Sequence, residues 1–153
     1  MDKPTEVFKS SLVFGKKPIK SMQSYVDVEW VNTLPIKDGT TVLDVGCFKG
    51  RDLRQLWANN PKTILTGLDI QEEAIKYCME KHEDIGATWI VGNALSLPFA
   101  DKEFDISYAN GLLSDMSPED AILARAELKR VAKQSFISDC DSNLDFYNEK
   151  LDG

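Results

Sequence analysis

The sequence lacks most of the features that announce a function simply. It has a single histidine, His82, and three cysteines, Cys47, Cys78 and Cys140, with no metal-ligand spacing among them. An odd, scattered set of that kind is expected to remain as free thiols in a reducing compartment, and no metal site is expected. No apolar run approaches the roughly 20 residues of a membrane helix. Nothing behind Met1-Asp2-Lys3-Pro4-Thr5-Glu6 reads as a secretory signal. The expectation is a cytoplasmic protein without a membrane partner. Basic charge is scarce too: 18 Lys and Arg stand against 25 Asp and Glu, a formal net charge of −7. That excludes the dense basic surface on which nucleic-acid binding depends. The one small cluster, Lys16-Lys17 with Lys20, fits a solvated helix start. The dinucleotide fingerprint Gly-x-Gly-x-x-Gly is also absent.

What is present is the pattern of one ordinary globular domain: 153 residues, 42% apolar and 28% charged, with no repeat or linker. Residues 1–18 read as loop, punctuated by Gly15 and Pro18. Over residues 19–34, Met22, Tyr25, Val26, Trp30 and Leu34 recur at helical spacing, and Pro35 and Gly39 close that helix. From there the periodicity alternates. Residues 40–45, 63–69, 88–91, 104–109 and 135–138 are β-branched or apolar runs that predict strands. Between them, residues 51–58 (Leu53, Leu56, Trp57 inward), 72–83 (Ala74, Ile75, Cys78, Met79 inward) and 118 onward predict helices. The last begins with Ser117 as cap, Pro118 at the first helical position and two acids, and carries Ile122, Arg125, Leu128 and Val131 on one stripe. Residues 140–153 form an acidic, weakly periodic tail. Alternating strands and helices on short connections imply an α/β, doubly wound, mostly parallel sheet. Ligands bind such sheets at the carboxyl ends of the strands, beside the first strand.

The residues predicted at those ends carry the chemistry. Asp44-x-Gly46-x-Phe48-x-Gly50 follows the first strand; its glycines permit a tight turn and close backbone approach, and the next helix offers free amides. Asp44, two residues before Gly46, suits a cationic ligand better than a pyrophosphate. Asp69 ends the second strand, where a carboxylate can accept bonds from both ribose hydroxyls of a nucleoside or cap the helix that follows. Ile70 would offer an apolar face to an adenine. Asn93, in Gly92-Asn93-Ala94, is either an amide for the adenine edge or a turn former. Asn110-Gly111 ends the fourth strand. The helix cap at Ser117 argues against reading Asn-Gly as a hairpin.

At these positions the chain resembles the class I S-adenosylmethionine-dependent methyltransferases. Val42-Leu43-Asp44-Val45-Gly46-Cys47-Phe48-Lys49-Gly50 is similar to their first motif, Gly67-Leu68-Asp69-Ile70 to the second and Val91-Gly92-Asn93-Ala94 to the third. Leu97-Pro98-Phe99-Ala100-Asp101-Lys102-Glu103-Phe104-Asp105 resembles the segment before the fourth strand in the branch that includes quinone-biosynthesis methyltransferases. Asn110-Gly111-Leu112-Leu113 and Glu127-Leu128-Lys129-Arg130-Val131 continue the match, which covers about residues 40–139. The resemblance implies a Rossmann-like fold in a single domain over 1–153: a helical extension over 1–38, a core over 39–139 and a tail over 140–153. It implies S-adenosylmethionine as cofactor. Asp44, Gly46 and Gly50 would surround its methionine part, with Cys47 contacting through its backbone and Phe48 beside it. Asp69 would hold the ribose, Ile70 would pack on the adenine, Asn93 and Ala94 would edge it, and Asn110 would lie near the reactive methyl group.

Three departures stand out. Phe48 replaces the central glycine of the first motif and would be strained if that position needs a positive φ. Asn93 replaces the usual acid of the third motif, keeping an acceptor and adding donors. After the fifth strand too few residues follow for the last helix and β-hairpin of the family, which are expected to be lacking, and the Pro-Gly-Gly turn is replaced by Lys133-Gln134. A shortened sheet would leave an open edge, to be covered by a homodimer, another partner or the tail. The function implied is methyl transfer to a small-molecule acceptor; the alternative is a non-catalytic binding module acting through a partner or dimer. A nicotinamide dehydrogenase fails on glycine spacing. No clear general base is offered: His82 is expected at the surface near the amino ends of the strands. Ser114 and Asp115 follow the fourth strand, where an acceptor would lie. Tyr25 and Trp30 either close the pocket or pack in the core.

Overall fold

A computed structural model describes residues 30–138 and the backbone of residues 149–152. Five parallel strands, β1 (Thr41–Val45), β2 (Ile64–Asp69), β3 (Thr88–Val91), β4 (Phe104–Asn110) and β5 (Ala132–Ser138), lie in the order β3-β2-β1-β4-β5. The order reverses beside β1, so the crevice of the switch point opens over the carboxyl ends of β1 and β4. A sixth strand, β6 (Glu149–Asp152), pairs antiparallel with β5, from Gln134↔Asp152 to Ile137↔Glu149. The expected open edge at β5 is therefore covered by the tail itself, through this antiparallel pairing.

The strands are buried on both sides, and alternate residues feed two cores. Val42 packs with Leu53, Leu56, Ile75 and Cys78, beneath helices α1 (Arg51–Asn59) and α2 (Glu72–Lys81). Leu43 and Val45 pack with Leu68, Ile70, Leu128 and Val131, beneath helix α3 (Pro118–Val131). Gly67 makes this spacing possible: a Cβ there would stand 2.7 Å from the Trp89 ring on β3, its register partner.

Several sequence expectations need correction. Most of the predicted 19–34 helix, with Met22, Tyr25 and Val26, lies outside the described residues, as does Cys140. Its end, Trp30–Thr33, is a short 3-10 turn whose Trp30 stacks edge-on against Tyr108, a core contact. Met79 and Ile122 point outward, 53% and 67% exposed. The buried face of α3 is instead Ala124, Leu128 and Val131. Small side chains let the helix lie close to the sheet, whereas the larger Ile122 drew the periodic reading. Ser117 does cap α3, its Oγ accepting the Asp120 amide at 3.2 Å, worth about 1 kcal/mol.

Lys133-Gln134 is not a turn, because β5 starts at Ala132, directly after α3. The helix end is sealed by hydroxyls: Ser107 and Ser135, both fully buried, donate to the Leu128 carbonyl at 2.9 and 2.7 Å. They take up a carbonyl that the helix end leaves without a helical partner.

Candidate functional site

The glycine turn is built as its sequence demands. Gly46 and Gly50 take φ of 82° and 81°. The Gly46 and Cys47 amides donate to the Leu68 carbonyl at 2.8 and 3.0 Å, tying the turn to β2. Phe48 shares the left-handed conformation, at φ 47°. The expected strain is therefore real, roughly 1–2 kcal/mol for a side chain in that region. Its ring lines a recess along α2 with Gln71, Ala74 and Tyr77, and the Lys49 ammonium sits 5.5 Å from its centre.

Asp69 fixes this turn in place. One oxygen accepts the Phe48 amide and the other the Gln71 amide, both at 2.8 Å. A single carboxylate thus joins the glycine turn to the start of α2. Each oxygen keeps a lone pair for a further donor. Burial pushes Asp69 up to about 6, against the lowering pull of those amides.

Asp44 is equally hidden, 2% exposed, and accepts the Tyr108 hydroxyl at 2.8 Å. Burial first, and then the charge of Asp52, raise it well above the ordinary carboxylate range. Asp52, in the first turn of α1, was not anticipated from sequence. It is buried and accepts the Asn110 side-chain amide at 2.9 Å, so it sets the direction of Asn110 at the end of β4. Tyr108 was missed as well. Both sit far along the chain from their partners, and their only sequence signal is polarity at an inward-facing position.

The remaining site positions line the same end of the sheet. Ile70 and Ala94 are buried in the core beneath α3. Asn93, 6% exposed, spends its Oδ1 on the Leu95 amide at 3.0 Å, and its buried Nδ2 has no hydrogen-bond partner. A buried donor left so costs about 1–3 kcal/mol and asks for an explanation. Ser114 and Asp115 fall in a short 3-10 turn after β4.

Cys47 and Cys78 are buried free thiols aimed at one carbonyl, that of Phe48. Burial, then the Cys78 thiol, push Cys47 upward, which keeps it unreactive. His82 is not a free surface residue. Its ring bonds the Lys49 carbonyl at 2.8 Å and accepts from Arg54 Nε at 2.8 Å, bracing the glycine turn. That places it against the turn after β1, not at the far end of the sheet. No cluster of metal-ligating side chains occurs among the described residues.

The crevice therefore combines a glycine turn, two buried carboxylates held by neutral donors, and an unmet amide donor. A family described as "Methyltransferase domain" matches residues 42–135. The chain belongs to that family. This methyltransferase domain is 35% identical over 130 residues to the 2-methyl-6-phytyl-1,4-hydroquinone methyltransferase of Synechocystis, covering 78% of this chain and 39% of that protein. It is 37% identical over 68 residues to a fatty-acid O-methyltransferase of Mycolicibacterium smegmatis, covering 44% of this chain and 25% of that one. Among solved structures it is similar to a complex of the Haloferax volcanii Trm112 methyltransferase activator with a methyltransferase. There the TM-score is 0.71 at 20% identity, over 87% of this chain and 60% of that one. The chain thus spans well under half the length of these curated relatives. The cofactor of this domain is S-adenosylmethionine. The residues present fit it: buried carboxylates suit a cationic nucleoside, and the unpartnered Asn93 amide suits a base.

Proposed function

We propose that the domain holds S-adenosylmethionine over the carboxyl ends of β1 to β4 and supports methyl transfer to a small-molecule acceptor. One observation carries this reading: Asp44 and Asp69, each 2% exposed, open from neighbouring strands around one glycine turn, with neutral partners only. Buried carboxylates without a protein cation make a cost in the free domain that a cationic ligand offsets. The cofactor supplies an electrophilic methyl group on a sulfonium. The protein's part is alignment, since in-line displacement gains most from held geometry.

In this reading Asp69 holds the ribose hydroxyls while continuing to anchor the Phe48 amide. Asp44, Gly46 and Gly50 surround the methionine portion, with Cys47 and Phe48 offering backbone there. Ile70 and Ala94 bound the adenine, and Asn110, aimed by Asp52, faces the methyl end. No side chain here is assigned to take a proton from the acceptor, so acceptors that react without a strong base suit the site best. Free thiols at Cys47 and Cys78 support a reducing, cytoplasmic setting. No helix among the described residues is long and apolar enough to cross a membrane.

A second reading, a binding module acting through a partner, draws support from Phe48, whose strained backbone lies at the centre of the turn. Calorimetric titration separates the two. Wild type is expected to bind S-adenosylmethionine and S-adenosylhomocysteine, and Asp69→Ala to weaken both by about 100-fold, near 2.7 kcal/mol. Transfer of a labelled methyl group to a quinol or fatty-acid panel would favour the enzyme. The absence of binding heat with either ligand would defeat the proposal.

A further inference from the structure

The single histidine of the chain, His82, is held at both ring nitrogens. Arg54 Nε donates to Nδ1 at 2.8 Å, and Nε2 lies 2.8 Å from the Lys49 carbonyl oxygen. A guanidinium N–H can only donate, so Nδ1 must be the bare nitrogen. Nε2 then carries the proton, as its other neighbour requires, because a carbonyl can only accept. Two separate contacts thus demand the same neutral tautomer. Arg54 belongs to α1 and also pairs with Asp84, just beyond α2. The imidazole therefore ties α1 and the end of α2 to the glycine turn.

What the ring holds is one peptide plane. The Lys49–Gly50 peptide aims its carbonyl at His82, while its N–H donates to the Cys47 carbonyl at 2.9 Å. Gly50 follows at φ 81°, a residue that lets the plane rotate once either bond is lost. Its lack of a side chain also admits the ring, since a Cβ there would stand 2.8 Å from His82 Cδ2.

A second proton would change this arrangement. Imidazole is the side chain that takes one up nearest neutrality. On Nδ1 it would set an N–H against the Arg54 Nε–H, two donors face to face and two positive charges in contact. The surroundings do not compensate. Tyr77 and Trp89 flank the imidazole with ring centres at 6.0 and 6.1 Å. The Lys49 ammonium, over the Tyr77 ring, adds a further positive charge on that side. Asp84 offers a carboxylate, but Arg54 Nη2 already engages it.

We infer that His82, as the neutral Nε2–H tautomer fixed by Arg54, positions the glycine turn for the cofactor, and that a proton on Nδ1 weakens cofactor binding by expelling Arg54. The inference rests on the cofactor reading above. His82 touches no ligand in it and acts through the Lys49–Gly50 peptide, so it is a positioning residue.

The test titrates S-adenosylhomocysteine calorimetrically into the full chain and two variants of it. His82→Ala removes both bonds and should bind about tenfold more weakly. His82→Gln can keep both, with an amide N–H for Lys49 and a carbonyl for Arg54, and it takes no proton. At about pH 8 it should bind within about threefold of wild type. A ring that merely filled space would not be rescued by an amide. Towards about pH 5.5, wild type should lose about threefold or more relative to His82→Gln. Asp69 is the same in both chains, so the ratio isolates His82. Nitrogen-15 NMR of the single imidazole gives a reading without ligand. Nε2 should carry the proton in the neutral ring, and the affinity ratio should fall as the second proton is taken up. His82→Gln no better than His82→Ala, a ratio flat with pH, or a neutral ring protonated on Nδ1 each overturns the inference. Should His82→Ala not fold, the His82→Gln ratio and the imidazole spectrum decide. If wild type binds S-adenosylhomocysteine and these readings fail, only this inference falls. If wild type does not bind it, the cofactor reading falls and this inference with it.

Discussion

Two charged clusters in this domain are built on opposite plans. Around the glycine turn, Asp44 and Asp69 are buried, meet only a hydroxyl and backbone amides, and are raised above the ordinary carboxylate range. On the side of α3, Arg130 grips Glu127 at 2.7 Å and Asp101 at 2.9 Å, and donates to the Phe99 and Leu97 carbonyls. Glu127 also accepts the Leu97 amide, and its carboxyl is lowered by Arg130 and that amide. The second cluster completes itself with its own cation and clamps the Leu97–Asp105 segment onto the helix. In the proposed reading the first is completed by the cofactor. Both clusters belong to stretches that resemble the family, and their carboxyls are shifted in opposite directions, the first raised by burial and the second lowered by Arg130.

Exchanging one residue from each cluster should break this contrast most sharply. Asp44→Asn is expected to weaken S-adenosylhomocysteine binding by about 100-fold, near 2.7 kcal/mol, without lowering the melting temperature, because it removes a buried charge. Arg130→Ala should do the reverse. It should cost about 2 kcal/mol of stability through lost charge-assisted bonds, measured by denaturant unfolding, with cofactor affinity unchanged once the chain is folded. Equal effects of both variants on both quantities would abolish the distinction.

The pH dependence should sharpen it. Asp69 is raised to about 6, so the folded state holds its proton more tightly than the unfolded chain does. Its contribution is fully present below about pH 4 and is lost as pH rises through 6, by at most about 3 kcal/mol. Glu127, lowered in the folded state, works oppositely: it supports the fold above its unfolded value near 4.3 and loses that support as pH falls. Unfolding curves between pH 3.5 and about 7.5 should show the first trend vanish in Asp69→Asn and the second in Glu127→Gln. Cofactor affinity should fall as pH drops below 6, following the ionised Asp69.

The smallest effect concerns Phe48. Replacing it with glycine relieves φ 47° but removes the ring from the Lys49 ammonium. Because these terms oppose, thermal stability should change by less than about 1 kcal/mol, with affinity equal or improved. A large loss of affinity would show that the ring itself contacts the ligand.

The strands and the glycine turn were legible because β-branched runs and paired glycines carry local physics. Val42 to Val45 can scarcely be anything but a buried strand, and Ser117-Pro118 states a helix start by itself. The site's outline was legible for the same reason, since Asp44, Asp69, Asn93 and Asn110 each lie at the end of a strand or within two residues of it. What the sequence left hidden depends on distant partners. Asp52 answers Asn110 across 58 residues, and Tyr108 answers Asp44 across 64. The direction of the Asn93 amide is decided by one backbone N–H two residues on. The inward face of α3 depends on how close the sheet lies, so Ala124 outranks Ile122 in burial against any hydropathy scale. Strand β6 comes from a tail with no clear period, and its partner β5 supplies the pattern.

The contact between Gly67 and Trp89 also constrains how this domain can change over generations. The two are register partners on adjacent strands, and a single added carbon on Gly67 would collide with the indole at 2.7 Å and the Cys47 sulfur at 3.0 Å. Position 67 cannot gain a side chain alone. A lineage that acquires a side chain at 67 must first, or at once, give up the bulk at 89. Across descendants of this chain the two columns should therefore move together, with volume passing from one to the other and their sum held nearly constant.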